Sequence, residues 1–263
     1  MLIDTHCHLD HLSNPTEKIL KARNNNVNII ISPGVNASSS KKCLKIAQEN
    51  KGVFSAAGLH PIDINSSKIS LQEQLRTIAN LLEKEKQYIV ALGECGLDFG
   101  PVNDGESKRS KQLQIDILQK QIELALKNDL PLILHNRKAN QELLNLLKPY
   151  KGKIKGVFHC FTGSKKFLQQ VIDLDFYIGI TGLITYDQGL QQVIKQAPES
   201  KLLIETDAPY LMPEPIRKTK KWPNEPKNVK IVAQEIAKVK GVCFDKIAET
   251  TTKNAIQLFK LKW

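Results

Sequence analysis

No run of about 18 apolar residues occurs anywhere in the chain, which excludes an ordinary membrane-spanning helix and sets the expectation of no membrane partner. No cleavable leader is expected either, because the first candidate functional side chains are His6 and His8 and cleavage would remove them. Cysteine is scarce: five residues, odd in number, without the spacing of a metal-binding pair. Cys7, Cys95 and Cys160 each adjoin a candidate ligand and read as small apolar packing residues in a reducing cytosol, not as disulfides. A cytoplasmic location is the matching expectation. There is no low-complexity segment, and no internal repeat beyond the rhythm of strands and helices. Acidic residues are outnumbered, 27 against 38 basic ones, for a formal net charge of +11. Such a balance draws polyanions, nucleic acid among them. It gains weight only from a site whose chemistry suits phosphate.

The 263 residues, 41% apolar and 25% charged, suit one large α/β domain spanning 1–263. Apolar, β-branched runs predict strands at 2–3, 27–32, 53–58, 88–93, 130–134, 155–158, 176–180 and 201–204. Helical patterns fill the intervals at 15–23, 38–49, 70–86, 108–128, 138–147, 164–172 and 188–196, and continue at 229–239 and 245–258. Asn14 before Pro15 reads as an N-cap, and Ser70 with Glu73 as a capping box. A loop is expected at 100–107. Eight strands separated by helices predict parallel βαβ units, and in a chain of this length a closed (β/α)8 TIM barrel of a single domain. The long loop 209–226, rich in Pro and Lys, reads as a binding loop or lid.

In such barrels the active site lies at the C-terminal ends of the strands. Strand one ends in Asp4-Thr5-His6-Cys7-His8-Leu9-Asp10. Side chains alternate there, so His6 and His8 face one way and Cys7 the other. Taken alone, a His-x-His is more often a pair of polar turn residues. The other strands change that. Their ends carry Gly58-Leu59-His60-Pro61, Gly93-Glu94-Cys95-Gly96-Leu97-Asp98, His135-Asn136-Arg137, His159-Cys160-Phe161 and Glu205-Thr206-Asp207. Of the six histidines only His11 falls elsewhere. Four His, one Glu and one Asp can hold two metal ions that share a carboxylate. Two such ions, about 3.5–4 Å apart, clamp the attacking and leaving oxygens of a phosphoryl displacement and lower the pKa of water. A nearby carboxylate can take the water's proton. Mixed His and carboxylate ligation suits Zn, Mn, Fe or Co, while Mg prefers more oxygen.

These motifs, ending with Glu-Thr-Asp-Ala-Pro-Tyr, together resemble the TatD family of metal-dependent deoxyribonucleases in the amidohydrolase-like superfamily, from residue 3 to about 226. The resemblance implies a (β/α)8 barrel with two divalent metals (Mg, Mn or Zn) and 3′ to 5′ exonuclease or DNase activity on DNA, single-stranded or at 3′ ends. It implies one metal on His6, His8 and Asp207, and a second on His135 and His159, with Glu94 bridging. Asp207 would also accept the proton of the attacking water. The chain departs from the family pattern at Phe99, Lys138 and Pro223, all outside the metal set and on the side of substrate contacts.

Other residues carry two readings each. His60 is expected to contact a substrate phosphate, against a core or turn role. Arg137 reads as a bidentate phosphate clamp, or as half of a salt bridge. Glu205 is either an acid/base group of the catalytic set with Glu94 and Asp207, or a support behind a ligand. Asp98, Asp4 and Asp10 are orienting or turn residues. Thr162-Gly163-Ser164 offers an anion site or, more simply, an N-cap at Ser164. Lys218, Lys220, Lys221 and Trp222 either flank single-stranded nucleic acid or form a solvated loop with Trp222 packed down. The alternative to phosphodiester cleavage is amide or ester hydrolysis, on aminoacyl-tRNA or a small molecule, since fold does not determine substrate. A nucleic-acid-binding protein without catalysis is the third reading, and the complete ligand set opposes it. No obligate protein partner is evident.

Overall fold

The computed structural model describes residues 1–65, 70–101, 110–220 and 222–262. Its strands are β1 Leu2–Asp4, β2 Val27–Pro33, β3 Val53–Ala57, β4 Ile89–Asp98, β5 Leu132–Arg137, β6 Gly156–Phe158, β7 Tyr177–Ile180 and β8 Leu202–Ile204. The helices are α1 Pro15–Arg23, α2 Ala37–Glu49, α3 Leu71–Lys84, α4 Lys111–Asn128, α5 Asn140–Leu147, α6 Lys165–Asp173, α7 Gln188–Ile194, α8 Val229–Lys240 and α9 Phe244–Phe259. Each strand pairs in parallel with the next, and spatial order is sequence order. At the β8–β1 seam, Thr5 donates both its N–H and its hydroxyl to the Ile204 carbonyl, and Cys7 bridges to Ala208. The architecture is the (β/α)8 TIM barrel that the strand rhythm predicts.

Strand period sets the layers. Ile3, Ile29, Ile31, Ile133, Val157 and Leu203 form one apolar cluster inside the barrel, plugged from below by Leu258 and Phe259 of α9. Their sequence neighbours Leu2, Ile30, Leu132, Leu134, Phe158 and Ile204 face outward into the larger core beneath the helices. Two residues above the inner layer, the same face of the chain carries His135, His159 and Glu205. All five cysteines are unpaired, and Cys7, Cys43 and Cys95 are buried.

Several boundaries differ from the sequence reading. β4 does not stop at Gly93 but runs to Asp98, because Cys95 to Asp98 pair with Leu134 to Arg137 of a longer β5. Gly96 makes that approach possible: at φ 141° it brings the strands so close that a Cβ would meet the His135 carbonyl at 2.0 Å. α5 begins at Asn140 rather than 138, because Lys138 is left-handed at φ 57°. Asn14 is not a side-chain cap. It too is left-handed, and it caps α1 with its carbonyl, which accepts the Glu17 and Lys18 N–H groups. Ser70 and Ser164 do cap, accepting from Glu73 N and Phe167 N at 3.2 Å each. The start expected for α4 at 108, and all but the first two residues of the loop expected at 100–107, lie outside the described residues.

Candidate metal centre

The fully buried carboxylate of Glu94 is the hub, and its two oxygens divide the histidines between them. Oε2 lies 3.3 Å from His6 Nε2 and 3.6 Å from His8 Nε2. Asp207 Oδ1 stands 3.6 and 3.4 Å from the same two nitrogens, which are 3.2 Å apart. A tetrahedral ion with ligands at about 2.1 Å requires ligand–ligand edges of about 3.4 Å. These five separations bracket that value, and His6, His8 and Asp207 form a group whose ligand atoms lie close enough together to hold one divalent cation, with Glu94 beside them.

Glu94 Oε1 meets three histidines: His60 Nε2 at 3.3 Å, His135 Nδ1 at 3.2 Å and His159 Nε2 at 3.1 Å. What stands behind each ring tells them apart. His135 Nε2 contacts Asp98 Oδ2 at 3.1 Å, and His159 Nδ1 lies 3.3 Å from Glu205 Oε1. A carboxylate behind a ring keeps the proton on that side and turns a lone pair forward, the arrangement of metal-ligating imidazoles. His60 is the reverse. Its Nδ1 accepts the Ile62 N–H at 3.2 Å, so its proton sits on Nε2 and points at Glu94. His60 is therefore built as a donor into the site, and His135 and His159 have the carboxylate backing typical of metal-ligating imidazoles.

The charges are mutually dependent. Burial would push the Glu94 carboxyl up, but His159, His60 and His6 outweigh it and hold it well below its usual range. Burial likewise pushes the Asp207 carboxyl up, but the His8 hydrogen bond and the nearby imidazoles outweigh it and hold Asp207 low. His159 is driven well above its ordinary value because Glu94 and Glu205 outweigh its burial. His6 is pushed down by burial and by His159. Cations can take over the charge balance that protons otherwise supply.

The seam supports this cluster. Asp4, fully buried, accepts from Thr206 N at 2.9 Å and from the Thr206 hydroxyl at 2.6 Å. Asp207 donates its N–H to the His6 carbonyl at 2.9 Å, and His8 its own to Ala208 at 2.8 Å. Glu205 is fully buried, and its Oε1 also accepts the Cys160 N–H at 2.6 Å. Gly179 leaves its carboxylate room, since a Cβ there would meet Oε2 at 2.2 Å.

A cavity of about 770 Å³ opens over the cluster, lined by His8, His60, Glu94, Arg137, Asp207 and Tyr210 among others. Arg137 is half exposed, 3.7 Å from Asp98. Of the sequence-selected residues, His8, His60, Glu94, His135, Arg137, His159 and Asp207 line it, His6 lies beneath against Glu94 and Asp207, and Glu205 lies behind His159. Trp222 is 66% exposed, so it is not packed down, and it does not line this cavity. Lys221 lies outside the described residues. Sequence reasoning passed over His11, whose ring stacks on His8 at 5.2 Å, and Tyr210, whose hydroxyl shares a 3.2 Å hydrogen bond with His11 Nδ1. The signal for Tyr210 was present as the last residue of Glu-Thr-Asp-Ala-Pro-Tyr.

A TIM barrel whose mouth gathers five histidines and two carboxylates in one buried cluster has the make-up of a metal-dependent hydrolase. The chain belongs to the TatD related DNase family, which matches residues 3–260. It is 35% identical over 267 residues to the uncharacterized metal-dependent hydrolase YabD of Bacillus subtilis, covering 99% of this chain and 100% of that one. It is 34% identical over 248 residues to the 3′-5′ ssDNA/RNA exonuclease TatD of Citrobacter rodentium, covering 92% and 90%. The crystal structure of the TatD homologue YjjV from Escherichia coli superposes with a TM-score of 0.89 at 29% identity, over 99% of this chain and 98% of that one. Among the described residues no helix is long and apolar enough to cross a membrane.

Proposed function

We propose that this protein is a two-metal phosphodiesterase that removes nucleotides from the 3′ ends of single-stranded DNA in the cytoplasm. The observation that carries the reading is the split of Glu94: one oxygen faces His6 and His8 beside Asp207, the other faces His135 and His159. His6, His8 and Asp207 would hold one ion, His135 and His159 the second, and Glu94 would bridge. When bound, the ions supply Lewis acidity at the phosphate and a lowered pKa for the attacking water.

The chain's own groups do the rest. Asp207 stays ionised and turns Oδ1 toward His6 and His8, so its Oδ2 is the oxygen to receive the water's proton. His60 lines the cavity with its Nε2–H on Glu94 Oε1, the donor a substrate phosphate would meet once the ions take up that carboxylate. Arg137, at the cavity wall with an exposed guanidinium, pairs with a phosphate oxygen. Asp98 and Glu205 act through His135 and His159 by holding their tautomers. The basic balance of the chain and the exonuclease names of its relatives support a nucleic-acid substrate.

The test uses metal-stripped protein resupplied separately with Mg, Mn and Zn, incubated with 3′-labelled and 5′-labelled single-stranded DNA. Metal-dependent release of mononucleotide from the 3′ end is expected. No cleavage by protein shown to bind metal would overturn the reading and direct attention to esters and aminoacyl-tRNA.

A further inference from the structure

The cavity above the cluster has an apolar side that the phosphodiesterase chemistry leaves unused. Among the described residues five large apolar side chains are exposed, and two of them, Ile62 at 39% and Tyr210 at 47%, line this one cavity. Single exposed apolar residues need no explanation. Two in the wall of a polar, histidine-rich cleft are a different matter, and both are built on fixed backbone. Tyr210 donates its N–H to the Asp207 carbonyl at 2.8 Å, and its own carbonyl accepts Asn224 Nδ2 at 2.7 Å. The Tyr210 ring is held edge-on to His8 and His11, with centroids 6.0 and 6.3 Å apart. Its hydroxyl is tied to His11, which stacks on His8 and lies 3.7 Å from Asp10. Asp10 in turn accepts the Ser39 hydroxyl at 2.7 Å. Ile62 is placed by its N–H on His60.

We infer that Tyr210 and Ile62 form a nucleobase subsite that holds the base of the terminal nucleotide by stacking and apolar contact. The inference rests on the nuclease reading above. An exposed, immobilised aromatic ring is a stacking surface whose ordering cost is already met, and stacking is tolerant of base identity because every base presents a π-face. The hydroxyl is engaged with His11, so the ring and not the phenol is the functional part. His11 is a positioning residue for that ring.

The experiment compares KM and kcat for two single-stranded oligonucleotides, one with an ordinary 3′-terminal base and one with an abasic 3′ terminus, on wild type, Tyr210→Ala, Tyr210→Phe and His11→Ala. Removing the terminal base or the Tyr210 ring should each raise KM by about tenfold or more, with kcat falling less. Combining the two should cost little beyond either alone. Tyr210→Phe should stay within about threefold of wild type, which also shows that losses in the alanine variant come from the ring. His11→Ala should fall between them. An alanine variant with wild-type KM on the base-bearing strand, or a phenylalanine variant as poor as alanine, overturns the subsite while leaving the nuclease reading intact. Wild type inert on every oligonucleotide in the presence of metal overturns both.

Discussion

At the lower end of the barrel, Ile133, Val157 and Leu203 meet Ile3 and the plug of α9 in a dry apolar layer. Two residues further along the same strands stand His135, His159 and Glu205, and with them come Glu94 and Asp207, all in contact through charge. Left-handed backbone does not separate the two ends: Lys138, Cys160, Asp207 and Leu211 take it above, and Asn26, Asp129, Asp175 and Lys260 take it below. One end of the barrel thus supplies stability, and the other holds buried charge against it. The partition predicts that substitutions above will strike metal binding and turnover, and substitutions below will strike stability.

The largest effect should follow Glu94→Ala. It removes the one carboxylate shared by both halves of the cluster and leaves five imidazoles facing each other. Metal content measured by elemental analysis should fall to near zero, and turnover by about a thousandfold or more. The metal-free variant should still fold cooperatively, because the lower layer is untouched. A variant that keeps both its metal and its activity would break the comparison at its centre.

Next comes a group at the seam where the two ends join. Asp4 is completely buried, and burial raises its carboxyl from an ordinary value near 3.8 to about 8, against the opposing hydrogen bonds from Thr206. The sign follows from linkage. The folded protein binds this proton more tightly, so the stability associated with it is complete below pH about 4 and is lost as pH rises toward 8. Asn at this position keeps an acceptor for Thr206 N without the titration, and its amide N–H meets the Thr206 hydroxyl, which turns from donor to acceptor. Denaturant midpoints of metal-stripped Asp4→Asn should therefore fall less than those of wild type between pH 5 and 8. The difference should be a few kcal/mol, bounded above by about 5. Parallel pH profiles would show that Asp4 is ionised in the fold throughout.

Phe259→Ala probes the lower end. The ring is 2% exposed in the plug beneath the barrel, and its loss should lower stability by about 3–5 kcal/mol. With the protein still folded at assay temperature, metal content and kcat should remain those of wild type. A kcat that falls with stability would show that the plug transmits strain to the upper cluster.

Much of this partition is legible in the residues. A period of two places His135 above Ile133 and His159 above Val157 once each strand is recognised, and strand ends were where the histidines gathered. The length of β4 was not legible, because it follows from pairing with β5 and not from the apolar run that ends at Gly93. Nor were the groups behind the histidines: the proton on His60 is placed by the backbone N–H of Ile62, and the carboxylate beside His159 Nδ1 belongs to a glutamate 46 positions away. The contact of His11 with Tyr210 spans 199 positions and depends on closure of the β8–β1 seam. Periodicity reports which face a side chain takes; what stands behind it is set by tertiary structure.

The smallest predicted effect bears on that last point. Glu205 contacts both His159 and the Cys160 N–H, so it can tune the ring and also brace the left-handed turn at Cys160. Glu205→Gln keeps the shape and an acceptor oxygen but removes the charge behind His159. If tuning is its main role, metal affinity measured by calorimetric titration should drop by about 10- to 100-fold. Turnover at saturating metal should recover most of the wild-type rate. Persistent loss at saturating metal would return Glu205 to the reacting groups. Unchanged affinity with lowered stability would leave it as a brace, and the tautomer of His159 would then have to come from Glu94 alone.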